Sequence, residues 1–359
     1  MSGRDRQASG RDRQAGGRDI LVIGASAGGI SALRRLFTDM AASAKFASAK
    51  PTVFVVQHMS AGVKSVLPDL LTRCGWLPAF HPQDGEPVRP GCIHIALPDR
   101  HLLVKNGRTL VRRGALENRT RPAIDPLFRS AAVEYGPRVI GVILSGTLDD
   151  GTAGLLAVKR CGGVAVVQDP DDAEWADMPR NALAHVPVDH CVPLARMPAL
   201  LARLMDEPHG PPVTIPDDIV VEASIPEKEF STEPEDTDMV GQPSTLVCPD
   251  CGGALSEVGD GLLLRYRCKV GHAFSPESLA AAQRESIERA LWVALRTHED
   301  RVVLFRRLAG NARKHGHERA ATSWTSSADE AQKNVDLLKA VLAGHSGGSA
   351  QGATLIGED

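Results

Sequence analysis

Short aliphatic runs punctuate the first half of the chain. Ile20–Gly24, Thr52–His58, Arg138–Leu144 and Val164–Gln168 are apolar at consecutive rather than alternate positions. A strand shows that pattern when both of its faces are covered. Between these runs the apolar residues fall three and four apart: Leu33 and Leu36; Val66, Leu67, Leu70 and Leu71; Phe128–Tyr135; Leu155–Arg160; Leu200–Met205. That spacing lays an apolar stripe along a helix. His101–Arg113 differs, because two apolar triplets flank Lys105-Asn106-Gly107-Arg108. Asn-Gly suits a two-residue primed hairpin turn, whose central positions both need positive φ. Strands alternating with helices predict an α/β fold over residues 19–206. The expected architecture is three-layered, a doubly wound and mainly parallel sheet with helices on both faces.

The pattern then changes. Residues 207–245 carry seven prolines, and nine acidic residues against one lysine, Lys228, lie between Asp217 and Asp238. Proline and like charge extend a chain, so this stretch reads as an acidic linker. Residues 246–274 form a compact Cys/His segment. Ser275-Pro276 then opens a helix, with Ser as N-cap and Pro at the first helical position. Ile287, Leu291, Ala294, Leu295, Val302, Phe305 and Leu308 recur at helical spacing, as do Val335, Leu338 and Leu342 in a second helix from about Ala328. Together they predict a helical hairpin over 275–343. The arm 1–18, in which SGRDRQA is repeated, and the tail 344–359 have little to bury and read as disordered.

Composition narrows the classes. The 359 residues are 43% hydrophobic but only 4% aromatic, so the core is aliphatic. A formal net charge of −3 argues against a nucleic-acid footprint over the whole chain. No apolar run reaches the ~18 residues of a membrane span, and the N-terminus lacks the apolar stretch of a signal peptide. Seven cysteines, a sparse and odd number, fit a reducing cytoplasm better than a disulfide scaffold.

Gly24-Ala25-Ser26-Ala27-Gly28-Gly29 joins a strand to a helix. As G-x-S-x-G it is a nucleophile elbow, with small residues exposing the Ser26 hydroxyl above the sheet. As a dinucleotide-binding loop it lacks the middle glycine, and Gln57-His58 stands where an acidic residue would follow the second strand. A connection without chemistry is the plain alternative. His58 ends the second strand, and Asp149-Asp150 follows the third. Either acid alone would suit a turn or a helix cap. Ligands of open parallel sheets bind beyond the carboxyl ends of the strands, and Ser26, His58 and the aspartates all lie there. The coincidence favours a serine hydrolase whose order Ser…His…Asp differs from that of α/β-hydrolases.

IGASAGG, VVQHM, LPDRH, NRTRPAIDPLF, GVILSGTLDDGTAG and MPRNA, in order over Asp19 to Met205, resemble the catalytic domain of CheB-type chemotaxis methylesterases. The resemblance implies hydrolysis of glutamate γ-methyl esters on the cytoplasmic helices of methylated chemoreceptors. Methanol is released without a cofactor, and some members also deamidate glutamine. It implies Ser26 as nucleophile, His58 as base and Asp150, the aspartate immediately before glycine, as the orienting acid. The N–H of Ala27 and the turn at Thr147 are the expected oxyanion donors. Arg119 and Arg121 of NRTRP are expected to guide an acidic receptor helix; each also reads as a plain surface charge. Ala27 stands where relatives often carry Thr. Regulated members begin with a phospho-accepting receiver domain, so control by aspartyl phosphorylation within this chain is not expected.

Cys248-x₂-Cys251 and, after sixteen residues, Cys268-x₃-His272 supply three thiolates and an imidazole. That is a complete tetrahedral zinc set with no open position, hence a structural zinc-ribbon-like module. Leu262–Arg267 is its expected strand. Cys74, Cys92, Cys161 and Cys191 read as small core residues. Arg265, Arg267 and Lys269 alternate along the strand and would form one small basic face. A nucleic-acid-binding ribbon beside a degenerate esterase is therefore a competing class, opposed by the acidic linker. The favoured role for the module and hairpin is docking a signalling partner, with no nucleic acid and no membrane insertion.

Overall fold

The computed structural model describes residues 16–46, 50–62, 64–229, 241–259 and 263–346. Most of the expected arm and tail, and the middle of the expected linker, lie outside the described residues. The chain forms two compact units, Met1–Leu279 and Ala280–Asp359.

The first unit runs β1 (Ile20–Ala25), α1 (Gly29–Ala42), β2 (Thr52–Gln57), α2 (Leu67–Thr72), β3 (Ala79–Phe80), β4 (Ile93–Ile95), β5 (His101–Lys105) and β6 (Arg108–Arg112). It continues with α3 (Ile124–Tyr135), β7 (Val139–Ile143), α4 (Thr152–Arg160), β8 (Val164–Gln168), α5 (Asp177–His185), β9 (His190–Val192) and α6 (Met197–Asp206). Seven strands stand side by side in the order β3-β4-β2-β1-β7-β8-β9, all parallel. The pleat sorts Ile20 and Val22 to one face and Leu21 and Ile23 to the other. The first face packs on α3, α4 and α5 through Leu127, Phe128, Leu155 and Met178. The second packs on α1, α2 and α6 through Leu33, Phe37, Leu71 and Leu201. The α/β expectation therefore holds. β5 and β6 form the expected hairpin, with Asn106 at φ 52° and Gly107 at φ 66°.

The structure departs from the sequence reading in the stretch expected to be an extended linker. α7 (Asp217–Ser224) lies within it, and Ile219 joins the main core. Asp217 and Asp218 occupy its first turn, where free N–H groups favour negative charge. Downstream, β10 (Gly241–Val247), β11 (Ala254–Val258), β12 (Arg265–Cys268) and β13 (Ala273–Phe274) make a four-stranded antiparallel sheet. The expected basic face does not form from Arg265 and Arg267. Arg265 pairs with Glu222 of α7, at 2.8 Å from Nη2 to Oε2. Arg267, 1% exposed, reaches Glu222 at 3.0 Å and Glu117 at 3.2 Å. Arg129 of α3 completes the cluster by pairing with Glu117 and lying 3.6 Å from Glu222. The cysteine reading also needs one correction: Cys161 is buried, Cys74 and Cys92 are half-buried, and Cys191 on edge strand β9 is exposed.

The second unit is made of α8 (Pro276–Lys314), from Ala280 onward, and α9 (Glu318–Ser346). The chain turns between them at Gly316, φ 73°. Leu295, Val302, Ala331, Val335 and Leu342 close the seam, and Phe305 stacks on Trp324. α9 begins well before the expected Ala328, because Glu318–Ser327 is too polar to show a stripe.

Burial alone would raise the Glu222 carboxyl, but Arg265, Arg129 and Arg267 outweigh it and hold it well below the ordinary range. Its folded pKa is depressed, so its contribution is present above the unfolded value of about 4.3 and fades as pH falls toward the folded value. Glu222→Ala leaves the buried Arg129 and Arg267 guanidiniums and the half-buried Arg265 undercompensated, and the expected loss is about 3–5 kcal/mol at pH 7. Urea denaturation measures it; a loss below about 1 kcal/mol would mean the cluster is effectively solvated.

Candidate active site

β2, β1 and β7 are neighbours at the middle of the sheet, so residues just past their carboxyl ends meet. The chain leaves β1 for β2 on one side and returns to β7 on the other. A crevice opens at such a switch point. Ser26 directly follows β1. Gly28 takes φ 71° in the tight entry to α1, where a Cβ would lie 2.7 Å from Ser145 Oγ. The buried Gln57 amide donates to the Ser26 carbonyl at 2.8 Å and to the His58 carbonyl at 3.1 Å. From the other side, the Ser26 N–H donates to the Ser145 carbonyl at 3.0 Å, and the Ser145 hydroxyl donates to the Ala27 carbonyl at 2.8 Å. The serine turn is thus gripped from β2 and from the loop after β7.

His58 Nδ1 lies 2.9 Å from Ser26 Oγ, and Nε2 lies 2.7 Å from Asp150 Oδ2. An ionised carboxylate only accepts, so Nε2 carries the proton. Nδ1 is then the basic nitrogen, and the Ser26 hydroxyl donates to it. Asp150 is 2% exposed. Its Oδ2 also accepts the Ile124 N–H at 2.6 Å, and its Oδ1 accepts Asn118 Nδ2 at 2.9 Å and the Asp125 N–H at 3.3 Å. Ile124 and Asp125 begin α3, so the carboxylate sits at a helix N-terminus. Burial pushes the Asp150 carboxyl up, but the His58 hydrogen bond and charge, the Ile124 N–H and the Asn118 amide outweigh it, and the pKa falls below the ordinary value. A hydroxyl, an oriented imidazole and a buried carboxylate in series are equipped for nucleophilic acyl transfer.

The remaining expected residues divide. The Ala27 N–H donates to no acceptor among the described residues. Gly146 presses on Ser26: a Cβ there would lie 2.8 Å from Ser26 Cβ and 2.0 Å from Met178 Sδ. This close approach brings the Thr147 turn beside the serine. Arg121 is engaged within the chain, its Nε donating to Asp99 Oδ1 at 2.9 Å and its Nη1 to the Gly114 carbonyl. Arg119 is half-buried in the left-handed region at φ 67°. Sequence reading passed over Gln57, Ser145, Gly146 and Asn118. The glycine of SGT and the asparagine of NRTRP were in view, without any mark of what they touch.

The Cys3His set also converges. The ligand atoms of Cys248, Cys251, Cys268 and His272 all lie within 4.8 Å of one another. Cys251 and Cys268 sulfurs are 3.7 Å apart, and His272 Nδ1 is 3.5 Å from Cys268 Sγ and 3.7 Å from Cys248 Sγ. Four ligands at ~2.0–2.3 Å from a tetrahedral metal lie about 3.3–3.8 Å apart, so the set fits a metal ion.

The family described as CheB methylesterase matches residues 21–201. A Leptospira interrogans protein is 35% identical over 190 residues, covering 51% of this chain and 93% of its own length. A Burkholderia lata protein-glutamate methylesterase/protein-glutamine glutaminase 3 is 38% identical over 190 residues, covering 52% of this chain and 51% of its own. The crystal structure of the Thermotoga maritima CheB methylesterase catalytic domain superposes with a TM-score of 0.48 at 31% identity, covering 53% of this chain and all of that one. The chain belongs to the CheB methylesterase family.

Proposed function

We infer that this chain is a protein-glutamate methylesterase and glutamine glutaminase of chemotaxis signalling, acting in the cytoplasm on methylated chemoreceptors. The observation that carries the reading is the series Ser26 Oγ, His58 and Asp150, joined at 2.9 and 2.7 Å. His58 Nδ1 takes the Ser26 proton as Oγ attacks the γ-carbonyl carbon of the ester. Ala27 N–H, with the Thr147 turn, donates to the developing oxyanion, and one such donor is typically worth ~3 kcal/mol of barrier. Methoxide is a poor leaving group, so the His58 imidazolium protonates it and methanol departs. A water deprotonated by the same nitrogen then cleaves the acyl-serine and frees the glutamate. A glutamine amide follows the same course with ammonia leaving. Arg119 adds positive potential for an acidic receptor helix, whereas the Arg121 charge is offset by Asp99.

The Cys3His set holds zinc as a structural ion, since every ligand position is taken by the protein. The ribbon and the helical hairpin give the chain a docking surface for a signalling partner.

Asp149, 6% exposed, stays outside the relay. Burial, with Glu277 and Asp150 adding negative potential, raises its carboxyl to about 7 against the pull of the Ser275 hydroxyl. The folded chain then keeps a proton that the unfolded chain has lost above about 4. Stability from this group is full below about 4 and drains as pH rises to about 7.

Ser26→Ala should cut methanol release from methylated receptor on the order of 10⁶-fold with the melting temperature unchanged; retained turnover would remove Ser26 as nucleophile. Reduced full-length protein should contain about one zinc per chain by elemental analysis; metal-free protein with native structure would overturn the zinc assignment. Asp149→Asn should stabilise the chain relative to wild type by a margin that grows from pH 5 to pH 8, reaching roughly 2–4 kcal/mol in urea titrations. A margin independent of pH would show that Asp149 is ionised throughout.

A further inference from the structure

Asn118 lies in the loop after β6, within the span matched by the family, whereas the Cys3His ribbon lies beyond that span. Yet Asn118 is bound from both. Its Nδ2 donates to Asp150 Oδ1 at 2.9 Å and to Asp125 Oδ2 at 2.8 Å. Its Oδ1 accepts the longer arms of two shared hydrogen bonds. One comes from the Ser275 N–H at 3.3 Å, which also reaches Ser278 Oγ at 2.8 Å. The other comes from the Ser278 hydroxyl at 3.4 Å, which also reaches the Ser275 carbonyl at 3.2 Å. Ser275 is the cap and Ser278 lies in the first turn of α8. Carboxylates on one side and donors on the other leave one orientation for the carboxamide, with both of its N–H groups used. Leucine has no groups for this place, and aspartate would set a third acid against the two already there.

The main chain repeats the connection. The Asn118 N–H donates to the Ala273 carbonyl at 2.8 Å, and the Ala273 N–H donates to the Leu116 carbonyl at 3.2 Å. Ala273 immediately follows the ligand His272. On the other flank, Arg267 immediately precedes the ligand Cys268 and pairs with Glu117, while its Nη1 donates to the Gly271 carbonyl at 3.0 Å. The residues flanking two of the four ligands therefore bind 116–118 directly. Ser275 caps α8 through the Ser278 N–H at 2.9 Å, so the Oδ1 partners are themselves fixed.

We propose that Asn118 is a positioning residue that ties the Asp150 carboxylate to the Cys3His ribbon, so that the esterase reaches its full rate only with the ribbon folded around its metal. The activity part of this proposal rests on the esterase reading above; the linkage between the two sites does not.

The test uses the full-length, zinc-loaded chain with wild type, Asn118→Ala and Ser278→Ala, each before and after chelation under reducing conditions. Two readouts are taken: kcat and KM for methanol release, and the low-field proton resonance of the His58 Nε2–H···Asp150 hydrogen bond. Asn118→Ala should lower kcat about 10- to 100-fold with KM little changed, and should weaken or shift the resonance. Ser278→Ala should do both in smaller degree. Chelation should act on wild type as Asn118→Ala does, and should cost Asn118→Ala less than it costs wild type, because the side-chain link is gone while the main-chain and Arg267–Glu117 connections remain. Where chelation unfolds the ribbon and the site together, the loaded variants decide. An unchanged resonance and kcat in loaded Asn118→Ala, or in chelated wild type that stays folded, would overturn the proposal. Absence of methanol release from every form, with the resonance responding as expected, would count against the substrate reading and leave the linkage standing.

Discussion

A carboxylate stripped of water stays ionised only if neighbouring groups replace the hydrogen bonds it has lost. Asp150 is such a carboxylate, and much of the molecule is arranged to meet that demand. Its donors come from separate places: His58 past the end of β2, Asn118 in the loop after β6, and Ile124 and Asp125 at the head of α3. For these to converge, β2, β1 and β7 must be adjacent, and α3 must point its N-terminus at the sheet rim. The sheet order and the packing of Leu127 and Phe128 against the strands secure both conditions.

The centre of the fold was legible because strands covered on both faces leave unbroken aliphatic runs, which few other structures need. β1, β2, β7 and β8 all announce themselves that way. β3, β4 and β9 span only two or three residues each, too few for any period to show. The site was legible for a related reason: Ser26, His58 and Asp150 each follow a readable strand, and the parallel arrangement carries them to one rim. Asn118 escaped because a carboxamide in a loop has no periodicity, and its contacts lie 32 residues away at Asp150 and 157 away at Ser275.

Charge misled in a more instructive way. Glu222 looked like one of a run of acids extending a linker, and Arg265 and Arg267 looked like a basic surface strip. Like charge close in sequence implies repulsion only while the chain stays open. Folding brings Glu222 to Arg265 and Arg267 across 43 and 45 positions, and Glu117 to Arg267 across 150. Buried ion pairs contribute little net stability after desolvation, but a mispaired member costs several kcal/mol. Such a cluster is suited to fixing the register of the ribbon on the α/β layer.

The same logic applies to the proposed reaction of Ser26, His58 and Asp150. Once His58 has taken the serine proton, it is an imidazolium hydrogen-bonded to Asp150 through Nε2. Every additional donor on Asp150 lowers its affinity for that proton, and Asn118, Ile124 and Asp125 together add three. The proton therefore remains on the imidazole, and the pair persists as two opposed charges rather than collapsing to neutral acid and base. Only Nδ1, on the serine side, is then able to release a proton, and whatever leaves the tetrahedral centre has to receive it there. In the proposed mechanism, the donors that keep Asp150 charged thereby direct the proton to the leaving group.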